Sequence, residues 1–288
     1  MHKSISPKSG RAPDAAPRWI QVQAGAIRPE DLLRRSRRVA LAKRLSVLYR
    51  SRALFSVRMR HWIASCERNA GFQCPPQYAQ ACFGRRLLLQ VSPGSIGAEL
   101  PDWLTDGQTR LHTSDYFFCG APIAELTRPL GNTAVFKEIE ELFAARFDFR
   151  ATPTYGRMLK QIETGNPPSR RRTKLASRAE LDRYFENVLR LVESIRANGV
   201  VGHSESAGLF VPDREIGVAI AGNGALVKLP GAQHRCAIAS MLGCTRIPVE
   251  IRMVHTSRVR AQLESGRRSL LEALEGVFDE AAARYTVR

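Results

Sequence analysis

Residues 216–254 constrain the fold more tightly than any other stretch of the chain. Two short apolar runs, Ile216–Ile220 and Ala225–Leu229, flank Gly222-Asn223-Gly224, and a third run spans Ile247–Val254. Two such runs around an Asn-Gly turn predict a hairpin. Between the second and third runs, Pro230-Gly231 marks a turn that feeds a short Ala-rich helix, ended by Gly243. A hairpin, a helix and a further strand in direct succession demand a helix layered on a sheet, the α+β class.

The flanking sequence supplies helices for that layer. Residues 133–149 form an amphipathic pattern with Val135, Ile139, Leu142, Phe143 and Phe147 on one face. A second short helix is expected over 152–165. Ser177 and Glu180 have capping-box spacing, and the apolar period from Leu181 to Ile195 ends at Asn198-Gly199. Upstream, RRLLLQVSPGSIG reads as a short buried strand running into a turn, and the stretch from about 256 to 284 reads as a C-terminal amphipathic helix.

Charge separates a further region. Residues 1–70 hold 16 Lys+Arg and 4 Asp+Glu, a net of +12, whereas the other 218 residues hold 28 and 23, a net of +5. Residues 1–17 read as a disordered tail rich in Ser, Pro, Gly and Lys. From Pro29 to about Cys66 the pattern is helical and basic, with Glu30 and Asp31 its only acids. That region, 31–63, suits an anionic membrane surface, DNA, or packing on the rest of the chain. No homeodomain, zinc-finger or basic-zipper pattern supports sequence-specific DNA reading. No apolar stretch is long enough to span a membrane. The N-terminus lacks the apolar segment of a secretory signal. Six scattered cysteines without a Cys-x-x-Cys pair predict reduced thiols and a cytoplasmic location, with peripheral attachment at the inner membrane surface if the basic region meets lipid.

The stretch that carries chemistry is the turn Gly231-Ala232-Gln233-His234-Arg235. A glycine followed by a helix N-terminus presents unpaired amides and a positive dipole end, an anion site. Arg235 would add a bidentate phosphate donor, and His234 a further one. A structural turn with the same residues is the alternative. His203 and His255 lack metal-ligand spacing and read as structural or surface residues. Cys236 and Cys244 read as small core residues.

Here the sequence resembles a family. Leu191–Val200, the two strands, Gly231–Arg235, an Ala-rich helix, Leu-Gly and Ile-Pro-Val-Glu-Ile (247–251) follow one another as in the nucleotide-binding module shared by the ParB N-terminal domain, sulfiredoxin and the free-serine kinases. The closer likeness is to a bacterial branch whose turn reads GxHRLAIA, often associated with cell-surface polysaccharide genes. The resemblance is strong over 188–252 and fainter over 115–187. It implies a small mixed sheet with surrounding helices over 111–256, preceded by the basic helical region 18–110 and followed by a C-terminal helix, 257–288.

The resemblance also implies a nucleotide phosphate site made of Gly231, Ala232, Gln233, His234, Arg235 and Arg172, the last from the Arg170–Arg172 loop. Gln233 stands where sulfiredoxin has its catalytic Cys, so that chemistry is not expected. Gly231 stands where the serine kinases carry an acid. Glu215 or Asp213 is the candidate replacement, as a general base; Glu205 is a further one. The implied activity is Mg²⁺-dependent phosphoryl transfer from ATP or ADP, with CTP left open, to a hydroxyl of a small metabolite or sugar. The alternative is a non-enzymatic, nucleotide-responsive protein that binds DNA or anionic membrane through its basic N-terminal region. A third is that the turn is a structural relic.

Overall fold

The computed structural model describes residues 79–287, except 81–82, 102, 106–109, 113–116, 120–126, 171–172, 207–213 and 268–269. The expected tail, residues 18–78 of the expected basic helical region, Arg172 and Asp213 lie outside the described residues.

The strands are β1 (Leu88–Val91), β2 (Ile96–Glu99), β3 (Trp103–Thr105), β4 (Arg110–His112), β5 (Phe118–Cys119), β6 (Arg128–Pro129), β7 (Ser169–Arg170), β8 (Thr173–Lys174), β9 (Ile216–Ile220), β10 (Leu226–Lys228) and β11 (Ile247–His255). The helices are α1 (Ala134–Ala144), α2 (Pro153–Glu163), α3 (Arg178–Asn198), α4 (His203–Ser206), α5 (Gln233–Met241), α6 (Thr256–Glu264) and α7 (Leu270–Tyr285).

The class is α+β with a mixed sheet. Its strand order is β1-β11-β9-β10-β2-β6, and β5 also pairs with β11. The expected hairpin forms β9 and β10 in antiparallel register, Val227 opposite Ala219. Asn223 closes its turn by accepting from the Ala225 amide, and Gly224 there has φ +80°. β11 is the hub. It runs parallel to β9, takes β1 antiparallel along Ile247–Glu250 and takes β5 parallel at Val254–His255. β9 is buried at every position and β11 at every position from Ile247 to Ile251. Burial at consecutive positions means that both sheet faces are covered, which explains unbroken apolar runs instead of alternation.

Two helical groups supply the cover. α5 packs on α1 and α3, while α6 and α7 pack on each other and on β11 and β1. α3 starts as its sequence predicts: Ser177 Oγ accepts from the Glu180 amide. Glu180 Oε2 reaches back to the Ala176 amide, one residue before the cap. Gly199 ends the helix at φ +68°.

Two expectations shift. The C-terminal helix is two helices, broken at Ser265-Gly266, where Gly266 takes φ +101°. β1 realises the strand expected in RRLLLQV, and the sheet also draws β2 from before residue 110, a stretch expected to be N-terminal and helical. β2 was unreadable because Ile96-Gly97-Ala98-Glu99 has neither an apolar run nor strict alternation.

Candidate functional site

The turn after β10 is shaped from below by a buried amine. Lys228 is fully buried, and its Nζ donates to the carbonyls of Leu229 and Gly231, both at 2.8 Å. The same Nζ lies 3.2 Å from Oε1 of Glu99, itself 1% exposed. With two carbonyls fixed at the ammonium, the chain turns through Gly231 at φ +96° and Ala232 at φ +50° into α5. Left-handed backbone at a residue with a Cβ costs about 1–2 kcal/mol, so the anchoring offsets real strain. Ala232 is the N-cap residue and offers no side-chain acceptor, leaving the first amides of α5 without a side-chain cap.

Above this turn lies a cavity of about 780 Å³. One wall is a stripe of α3: Glu180, Arg183, Tyr184, Asn187, Val188 and Leu191, spaced three and four residues apart. Facing it are Gly231, Ala232, His234 and Arg235 of the turn and α5. Glu215 comes from the residue before β9, Arg252 from β11, His203 from α4, and Arg170, Thr173 and Leu175 from the β7–β8 hairpin and its exit. Four of these residues are arginines, so the lining carries excess positive charge.

Three cavity-wall side chains converge on one carboxylate that sequence reasoning missed. Glu138 of α1 is fully buried. It accepts from the Tyr184 hydroxyl at 2.5 Å and from Arg170 at 3.1 Å, and His234 Nε2 lies 3.4 Å away. Because Tyr184 gives its proton to Glu138, its oxygen accepts from His234 Nε2–H at 2.9 Å. Burial alone would raise the Glu138 pKa. Hydrogen bonds from His234 and Tyr184 and the Arg170 charge outweigh it and hold the pKa below the usual 4.5. Burial and the Glu138 charge push the Tyr184 hydroxyl pKa well up, which keeps it a donor.

A pH dependence follows. A group whose pKa is lowered by folding stabilises fully above its unfolded value and loses that contribution as pH falls through its folded value. Stability is therefore expected to drop below about pH 4.5. Glu138→Gln should be less stable at pH 7 by about 1–3 kcal/mol and should show a shallower acid decline. Urea midpoints measured from pH 7 to pH 3 test both, and an unchanged acid slope would refute the assignment.

The second carboxylate is Glu215, 2% exposed. Its Oε1 accepts from the Ser204 amide at 2.8 Å. Its Oε2 is buried and has no hydrogen-bond partner. The segment after α3 clamps it: a Cβ on Gly202 would stand 3.4 and 3.5 Å from the two carboxylate oxygens. Two arginines attach to the chain beside it. Arg235 donates to Arg214 O at 2.6 Å, and Arg252 donates to Glu215 O at 2.8 Å while also pairing with buried Glu250.

Of the expected site residues, Gly231, Ala232, His234, Arg235 and Glu215 come together on the cavity wall. Gln233 does not: its amide is tied to Glu99 Oε1 at 2.8 Å, under the turn. Its side chain serves the Lys228 anchor instead of the expected phosphate site, and its backbone amide opens α5. Asp213 and Arg172 lie outside the described residues. Arg170 of β7 pairs with Glu138 at 3.1 Å. His203, read from sequence as a surface or structural residue, is exposed but lines the cavity, and His255 caps α6 by accepting from the Ser257 amide. Cys236 is buried, and burial raises its pKa to about 11, so it is a core thiol.

Glu138 carried a legible signal. It lies three residues after Val135 and four before Leu142, on the apolar face of α1. A carboxylate there needs buried partners. Arg183, Asn187 and Arg252 gave none; only the fold brings them to one wall. Among the described residues, no group of three or more His, Cys, Asp or Glu is placed to hold a metal. Comparison with protein-family models, with curated proteins and with solved structures found no match.

Proposed function

We propose that the chain is a nucleotide-binding phosphotransferase that moves a phosphoryl group from ATP or ADP to a hydroxyl of a small metabolite or sugar. The observation that carries this reading is the unpartnered, buried Glu215 Oε2 in a cavity lined by four arginines. A buried carboxylate oxygen without a donor is costly in isolation and useful where a substrate hydroxyl supplies the donor. Arginines and uncapped helix amides suit the polyphosphate.

In this mechanism Arg183, Arg235 and the α5 amides bind phosphate oxygens, while Glu250 orients Arg252 toward the same charge. The acceptor hydroxyl donates to Glu215 Oε2 and passes its proton there as its oxygen bonds to phosphorus. Catalysis is mainly positioning and charge stabilisation. Mg²⁺ takes most ligands from phosphate and water and needs only one or two protein carboxylates. Glu180 is the wall carboxylate that would meet a cation carried by the nucleotide, leaving Glu215 to the acceptor. When bound, that cation neutralises phosphate charge. The resemblance to a branch associated with cell-surface polysaccharide genes favours a sugar acceptor.

A thermal-shift series with ATP, ADP, CTP and GTP, each with Mg²⁺, tests the reading. Ligand at a hundred times its Kd adds about 2.7 kcal/mol, so a rise of several degrees is expected with at least one nucleotide. Arg235→Ala should shrink it. No shift with any nucleotide overturns the reading.

A further inference from the structure

The positions along α3 at which other elements meet the cavity give it an order. The stripe from Glu180 to Leu191 spans about 16 Å at 1.5 Å per residue. The N-terminus of α5 meets this stripe near its middle, where Tyr184 bonds His234 and shares Glu138 with Arg170. Thr173 and Leu175 lie immediately before the α3 cap at Ser177, and Glu180 bonds back to Ala176, so these residues mark the N-terminal end. Glu215 marks the other end. Its carboxylate is held by Ser204 and packed on Gly202, both in the segment that follows α3. His203 belongs to that segment too, and Leu191 is the last cavity residue of the stripe.

Phosphoryl transfer sets the attacking and leaving oxygens roughly in line, on opposite sides of phosphorus. The acceptor must therefore approach from the side of its base, and the leaving nucleotide must depart toward the other. Resting on the phosphotransferase reading above, we infer that the α5 N-terminus divides the cavity into two arms. The nucleoside occupies the arm of Thr173, Leu175 and Glu180, and the acceptor occupies the arm of Leu191, His203 and Glu215. In the step itself, the acceptor oxygen forms a bond to the terminal phosphorus, and the bond from that phosphorus to the bridging oxygen breaks. The bridging electron pair stays on the released nucleotide, and the acceptor proton moves to Glu215 Oε2. Arg235, anchored on Arg214 O next to Glu215, stands on the acceptor side of the phosphates. The acceptor arm combines aliphatic Leu191 and Val188 with one carboxylate. That lining suits a neutral, hydroxyl-bearing molecule with an apolar face, such as a sugar ring, and disfavours a carboxylic acid beside Glu215.

The test uses two probes and two fillers. Thr173 and His203 are both exposed cavity residues, so a tryptophan at either is expected to leave the fold intact. ATP reports on phosphates plus nucleoside; inorganic triphosphate reports on the phosphates alone. Calorimetric titrations with Mg²⁺ should show Thr173→Trp weakening ATP tenfold or more while triphosphate binding stays within threefold of wild type. His203→Trp should leave both probes within threefold. A selective loss of ATP in His203→Trp, losses in both variants, or no loss in either overturns the two-arm assignment, as does ATP binding without triphosphate binding. A wild type that binds neither probe instead overturns the phosphotransferase reading itself, so the two failures are distinct.

Discussion

Glu215→Gln is expected to lower the rate of phosphoryl transfer by roughly 10²–10⁴-fold, the usual contribution of a general base, with nucleotide affinity within threefold of wild type. The amide keeps an oxygen for the Ser204 amide and fills the same space against Gly202. It removes the proton acceptor and nothing else of size. Folding stability should hold or rise, because the native carboxylate buries an oxygen without a partner and a neutral group costs less there. Single-turnover rates together with urea denaturation read both quantities. A variant that transfers at the wild-type rate removes Glu215 from the chemistry, and one that loses stability by several kcal/mol makes it a structural carboxylate.

Lys228→Met is expected to cost about 3–5 kcal/mol of stability, the range for removing one member of a buried ion pair. Glu99 would keep Gln233 and the partly exposed Arg128, but the carbonyls of Leu229 and Gly231 would both lose their ammonium donor. The double variant Lys228→Met, Glu99→Leu separates the terms. Removing both charges should recover a large part of the loss, while the turn carbonyls stay unpaired. Nucleotide affinity should then remain reduced in the double variant even as stability returns. Chemical denaturation and calorimetry on the same samples check this, and a double variant with full affinity would show that Lys228 does not shape the turn.

The legible parts of the fold were those in which neighbouring residues repeat one demand. Asn223-Gly224 and two apolar runs specify β9 and β10 locally, and Ser177 with Glu180 marks the start of α3 without reference to anything distant. The strands of the main sheet that escaped detection, β2, β5 and β6, run from two to four residues and form only because β10, β11 and β2 offer them an edge. The site divides the same way. Its turn and Glu215 were readable because a glycine, a helix start and a carboxylate before a strand lie close in the chain. Its anchors were not, since Lys228 and Glu99 meet across 129 residues and Tyr184 and Glu138 across 46. Gln233 was expected at the phosphates because the resemblance implies that the whole Gly231–Arg235 turn binds them, whereas successive helical residues point about 100° apart and its side chain turns to Glu99.

The position of β11 at the hub also sets an order of assembly. Leu88 waits for Glu250, and Phe118 for Val254, so β1 and β5 emerge during synthesis long before the strand they pair with exists. Pairings this distant slow folding. They also leave strand edges open to wrong partners until the last third of the chain has been made. Recovery of soluble protein should therefore depend on the pace of translation and on chaperone supply more than the stability of the finished sheet alone would suggest.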